Sequence, residues 1–111
     1  ILPGRVERCP EFEDLKVPHM GWNQLHYTRQ ANLLDKLEDD SYAYFVHSYY
    51  CIPAEESNIL ITADYGITFC AGVQRDNIYG VQFHPEKSQQ TGLRILQNFL
   101  ALQSEDGAIY A

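Results

Sequence analysis

The stretch "GVQFHPEKS", residues 80–88, decides how this chain is read. The run Ile78–Phe83 leading into it is apolar and rich in strand-forming residues, which predicts a strand. Pro85 ends ladder hydrogen bonding and fixes a turn. From Ser88 the period changes: Leu93, Leu96, Phe99 and Leu100 recur at three and four, which predicts a helix with Ser88 as its N-cap. Strand, turn, helix is the pattern of an α/β domain, whose sites are built at strand ends. His84 and Glu86 flank the proline, and side chains two apart on extended backbone share a side. A carboxylate that accepts from one imidazole nitrogen fixes the tautomer, leaves the other nitrogen as a base, and stabilises the imidazolium once formed. That is the orienting half of a nucleophile–His–acid triad. On spacing alone, a surface turn with an incidental ion pair is the more frequent outcome, because two-residue motifs are common.

Working outward, the chain reads as continuous, without repeats or low-complexity segments. Asp64-Tyr65-Gly66 is turn chemistry between an apolar run at 58–63 and a second run through Cys70, which predicts a hairpin. Tyr42–Cys51, "YAYFVHSYYC", is aromatic and β-branched and predicts one strand. Ala31–Leu37 predicts one or two helical turns. Residues 1–25 are punctuated by Pro and Gly and read as largely irregular, with short strands near Val6 and around Lys16–Pro18. No element is assigned to the tail "SEDGAIYA".

At 111 residues the chain is one small domain or part of a larger one, and 45% hydrophobic residues suffice for a core. Eight basic against fifteen acidic residues give a net charge of −7, which argues against a nucleic-acid partner. The acidity is spread, densest at Glu38-Asp39-Asp40, and reads as solvated surface. No apolar run has membrane-span length and no signal-peptide pattern opens the chain. Cys9, Cys51 and Cys70 are odd in number and widely spaced, with no CxxC pair, so neither a disulfide framework nor a zinc knuckle is indicated. The expected setting is reducing and cytoplasmic.

"GVQFHPEKS" resembles the His–Glu signature of class I glutamine amidotransferases, G-x-Q-F-H-P-E, with no departure. Two further motifs resemble, in order, the glutaminase subunit of imidazole glycerol phosphate synthase: "VPHMGWNQL" at 17–25 and "YFVHSYY" at 44–50. "ITADYGITFCAGVQRDNIYGVQFHPEKS" follows as expected. The likeness runs from about Gly4 to about Leu102. It implies an α/β, flavodoxin-like amidotransferase domain of which this is the C-terminal portion, over residues 1–103, with 104–111 as a tail. It also implies that His84 and Glu86 are catalytic, that no cofactor or metal is used, that glutamine is the substrate, and that the partner is a (β/α)-barrel cyclase subunit.

The nucleophile of that family sits in a G-x-C-x-G elbow, and neither the elbow nor a glycine-rich oxyanion strand occurs in this sequence. With no initiating Met and an opening of Ile1-Leu2-Pro3-Gly4, the expectation is a piece of a longer subunit. A substitute nucleophile among the three cysteines is disfavoured, since an activated thiol needs a helix N-terminus or a base beside it. Cys70 lies in a hairpin strand, Cys51 at a strand end, and Cys9 beside a proline.

Other residues keep two readings. By resemblance Ser48 and Tyr49 hold the amino-acid end of glutamine; otherwise they continue a strand. Trp22 and Tyr44 match positions on the cyclase interface, and Lys87 faces the same partner. Against this, Trp22 fits a core and Lys87 is an ordinary surface lysine. His19 and His47 could form a metal pair, but no third ligand is evident and His47 is better read as hydrogen-bonded in the core. Two rival functions remain: an amidotransferase domain of another pathway, against which "PHMGWN" speaks, and a catalytically empty partner-binding module.

Overall fold

The computed structural model describes residues 2–9, 19–38 and 41–105. Strand β4 (Tyr42–His47) alternates strictly. Ala43, Phe45 and His47 are buried while Tyr42, Tyr44 and Val46 point away, the period that a half-buried strand imposes. It pairs antiparallel with β2 (His19–Gln24), and the register sets His19 opposite His47 and Trp22 opposite Tyr44. This two-stranded ribbon therefore has an inner face of His19, Gly21, Asn23, Phe45 and His47, and an outer face bearing Met20, Trp22, Tyr44 and Val46.

The second sheet has six strands in the order β1–β5–β7–β6–β3, with β8 also paired to β7. Its members are β1 (Gly4–Arg8), β3 (His26–Tyr27), β5 (Tyr49–Pro53), β6 (Ile59–Asp64), β7 (Thr68–Arg75) and β8 (Ile78–Val81). Every pairing in it is antiparallel. The expected hairpin is β6–β7: Gly66 takes φ of 79° in its turn, and Thr68 Oγ1 donates to Asp64 Oδ1 at 2.6 Å. Leu25, Phe45, Leu60, Ile61, Phe69 and Phe83 form the centre of the core. Phe45, fully buried, contributes roughly 2 kcal/mol through the area it removes from water.

Four expectations change. Tyr42–Cys51 is not one strand: the chain bends at Ser48 and passes from the ribbon into the second sheet. The His47 ring folds back across this corner, its Nδ1 2.9 Å from Tyr49 O. Composition cannot reveal such a change of partner, because both halves are equally aromatic. Ala31–Leu37 holds only a single 3-10 turn, Asn32–Leu34. Asn98 Nδ2 donates to Leu33 O and Asp35 O, both at 2.8 Å, so tertiary bonds take carbonyls that a longer helix would use. Lys36, at φ 63°, ends the turn. In the first 25 residues β1 falls where a strand near Val6 is expected, but β2 from His19 replaces an expected irregular stretch; Lys16–Pro18 lies outside the described residues. Finally, α1 (Gln89–Glu105) forms where the periodicity places it, but Ser88 does not cap it through its hydroxyl, which is committed elsewhere.

The residues α1 buries are Gly92, Ile95 and Asn98, whereas Leu93, Leu96 and Leu100 are exposed. No helix among the described residues is long and apolar enough to cross a membrane.

Candidate functional site

His84 follows β8 and opens a short 3-10 turn, Pro85–Lys87, that leads into α1. Its Nδ1 lies 2.8 Å from Glu86 Oε1. The carboxylate can only accept, so the imidazole proton sits on Nδ1 and Nε2 is left as a base. The Glu86 carboxyl is held below its ordinary value, first by its own backbone N–H and then by His84. It therefore stays an anion and an acceptor through the neutral range.

Three bonds lock this turn onto β4. The His84 N–H donates to Tyr44 O at 2.9 Å, the Tyr44 N–H donates to Ser88 Oγ at 2.9 Å, and Ser88 Oγ donates to His84 O at 2.7 Å. Ser88, 1% exposed, is thus a bridge between strand and turn, a role that its position before a helix did not suggest. Gly92 completes the junction. A Cβ there would lie 1.7 Å from Pro85 O, so only glycine lets α1 approach the turn.

Beside this turn stand the three residues matched to a partner surface. Trp22 and Tyr44 meet edge to face with centroids 5.9 Å apart, and Lys87 Nζ lies 5.9 Å from the Tyr44 ring centroid. Trp22 is 48% exposed, so it is not a core residue of the described chain. Ser48 and Tyr49 form the corner between β4 and β5. Their carbonyls are held by the Cys9 N–H at 2.7 Å and by His47 Nδ1 at 2.9 Å.

His19 and His47 are directed at each other, with His19 Nδ1 3.0 Å from His47 Nε2. His19 also stacks between Tyr65, at 3.9 Å between centroids, and Phe45, at 5.1 Å. Burial first, and His47 second, lower its pKa to about 4. Burial likewise lowers that of His47, against the raising effect of Tyr49 O. Both rings are therefore neutral near pH 7. Among the described residues no group of three or more His, Cys, Asp or Glu side chains is arranged to hold a metal.

Burial raises the pKa of two of the cysteines, the opposite of activation. Burial pushes the Cys70 pKa up to about 11, and its Sγ donates to Gly72 O at 3.3 Å. Burial also raises that of Cys9, whose Sγ is 3.9 Å from His47 Nδ1. Cys51 is exposed. Asn23 was missed from sequence; its cue was a strand position four residues from His19, on the same face.

Residues 5–102 match the model of the family described as glutamine amidotransferase class-I. The chain is similar to the imidazole glycerol phosphate synthase subunit HisH of Syntrophotalea carbinolica, at 57% identity over 104 residues, 89% of this chain and 50% of the relative. It is similar to the same subunit of Geobacter metallireducens at 54% over 104 residues, with 89% and 50% covered. For Desulfitobacterium hafniense the figures are 48% over 109 residues, with 98% and 51% covered. The chain thus spans about half the length of the curated relatives it matches. In fold it is similar to a putative GMP synthase subunit from Thermoplasma acidophilum, with a TM-score of 0.74 at 19% identity, over 94% of this chain and 50% of that one.

Proposed function

The chain belongs to the class I glutamine amidotransferase family, and on that premise we propose that it is the C-terminal portion of a glutaminase subunit that supplies ammonia for imidazole glycerol phosphate formation in histidine biosynthesis. The observation that carries this reading is the 2.8 Å contact between His84 Nδ1 and Glu86 Oε1 at the end of β8. The boundary expected after residue 103 falls inside α1, which runs to Glu105, so the domain reaches at least that residue.

When the subunit is intact, the thiolate of a cysteine outside this sequence attacks the side-chain amide of glutamine. His84 Nε2 takes the thiol proton and then delivers it to the departing ammonia, and Glu86 stabilises the imidazolium between the two steps. Water then hydrolyses the thioester, with His84 again as base. Ser48 and Tyr49 hold the amino-acid end of glutamine. Trp22, Tyr44 and Lys87, already side by side, form the surface that meets a (β/α)-barrel cyclase. The ammonia joins a phosphoribulosyl imidazole precursor there.

The test is product formation by the intact subunit with its cyclase, supplied with either glutamine or ammonium. His84→Ala should abolish glutamine-dependent turnover and leave ammonium-dependent turnover intact. The 111-residue chain alone should release no glutamate, because Cys70 is a buried, high-pKa thiol. Glutamate release by this chain that disappears in Cys70→Ser would move the nucleophile to Cys70. An intact subunit that docks without hydrolysing glutamine would make it a catalytically empty binding module.

A further inference from the structure

We propose that Asn23, His19 and His47 form a one-directional hydrogen-bond chain that positions the Ser48–Tyr49 corner for glutamine; the inference rests on the reading that this corner holds the substrate. The direction is fixed at one end by the Asn23 amide. The Gln24 N–H donates to Asn23 Oδ1 at 2.8 Å, so the other amide atom is the nitrogen, which donates to Asp64 O at 2.7 Å. That same Nδ2 faces His19 Nε2 at 3.4 Å, which makes Nε2 the acceptor and leaves the His19 proton on Nδ1. His19 Nδ1–H then donates to His47 Nε2 at 3.0 Å. The His47 proton is thereby placed on Nδ1, where it donates to Tyr49 O at 2.9 Å. Each tautomer follows from the one before it.

The far end of this chain is the bend at which β4 becomes β5. Tyr49 O is fixed by His47, and the neighbouring Ser48 O by the Cys9 N–H. Asn23, His19 and His47 touch no reacting atom in the proposed mechanism, so they are positioning residues. An added proton would meet an N–H on either ring: on His47 Nε2 it would face the His19 Nδ1–H at 3.0 Å, and on His19 Nε2 it would face the Asn23 amide at 3.4 Å.

Among the described residues, the titratable groups around the pair come from several packed elements. They are Cys9, just after β1, Tyr65 in the β6–β7 turn, and Asp64 at the end of β6, whose carbonyl Asn23 reaches; β5 contributes the Tyr49 carbonyl. The Asp64 carboxylate is exposed and engaged by Thr68 Oγ1 and His26. The ring nitrogens of His19 and His47 meet Asn23, each other, Tyr49 O and, at 3.9 Å, the Cys9 thiol, rather than a carboxylate.

Two variants of the intact subunit test this. His19→Phe keeps the stack between Phe45 and Tyr65 but removes the donor to His47. Asn23→Asp keeps the shape but replaces the donor by an acceptor. His19 must then donate from Nε2, and the chain can still reach Tyr49 O only by taking up one proton. For His19→Phe the expected result is a glutamine KM raised roughly three- to tenfold, the worth of one hydrogen bond, at near-normal kcat, with shifted Tyr49 and Tyr50 amide resonances. For Asn23→Asp the ratio of mutant to wild-type KM should rise with pH as that proton is lost, which a merely structural role does not produce. If His19→Phe does not fold, the pH profile of Asn23→Asp decides. Unchanged KM and unchanged resonances overturn the proposal. Resonances that move at constant KM overturn it differently: the chain then places the corner, but the corner does not hold glutamine, and the triad reading stands.

Discussion

Tyr44 and His84 hold one another through their backbones: the His84 N–H donates to Tyr44 O, and the Tyr44 N–H reaches back to the His84 carbonyl through the Ser88 hydroxyl. The position of the base is therefore set by strand β4. Ser88→Ala removes the bridge and leaves the part-buried Tyr44 N–H without its acceptor. The expected cost is about 1–3 kcal/mol of stability, read from urea unfolding of the intact subunit. Glutamine turnover should also fall, because the turn loses its anchor. Unchanged stability would mean that the hydroxyl only fills space.

Gly92 tests the same junction from the helix side. In Gly92→Ala the new methyl meets the Pro85 carbonyl, backbone that cannot swing aside. Helix and turn must separate, at a cost on the order of 2 kcal/mol or more. Turnover should fall further than for Ser88→Ala, because the displaced segment carries both His84 and Glu86. An alanine variant with wild-type melting and turnover would show that α1 and the turn need not touch.

How much of this was legible in the sequence varies with what fixed each part. The His84–Pro85–Glu86 pair was readable because two residues and a proline between them define its geometry locally. The hairpin at Asp64–Gly66 and the helix from Gln89 were readable for the same reason. Ser48 was not seen as a corner, since the change of strand partner depends on β1 and β2, far away in sequence. The Asn32–Leu34 turn was overestimated because its carbonyls serve Asn98, more than sixty residues on. Ser88 was read as a helix cap, and only the approach of Tyr44 reveals the bond it makes.

The histidine pair gives stability a pH dependence. Its folded-state pKa values are depressed, His19 to about 4 from the ordinary 6.5, so between those values the unfolded chain binds more protons than the folded one. Stability then rises with pH across that window and is lost as pH falls from about 6.5 towards 4. Urea midpoints of the intact subunit should decline over this range. His19→Phe, which lacks the most depressed group, should decline less steeply. Parallel curves for the two proteins would mean that His19 is not held neutral.

Trp22 stands on the outer face of the ribbon against Tyr44, with Lys87 also over the Tyr44 ring. A half-exposed tryptophan beside an aromatic and a cation is suited to act as an interface anchor. Trp22→Ala in the intact subunit should weaken cyclase binding by about 2 kcal/mol or more, with folding retained because the side chain is not in the core. Calorimetric titration gives the answer, and an unchanged Kd would remove this face from the interface.

The His84–Glu86 pair makes the sharpest claim about mechanism, that the two residues act as a unit. His84 is base and then acid, so His84→Ala should remove nearly all glutamine turnover with the cyclase bound. Glu86 carries no proton in the reaction. Its carboxylate orients the ring and favours the imidazolium, and its lowered pKa keeps it charged in the neutral range. Glu86→Gln retains shape and a hydrogen-bonding oxygen but loses the charge. Its loss should be smaller than that of His84→Ala, yet about tenfold or more, as for triad acids in general. Groups that act together do not have additive effects, so the double mutant should be little worse than His84→Ala alone. Wild-type turnover in Glu86→Gln would leave the glutamate as a turn residue. Losses that multiply in the double mutant would separate the two roles, and the 2.8 Å contact would then be an ion pair with no part in the chemistry.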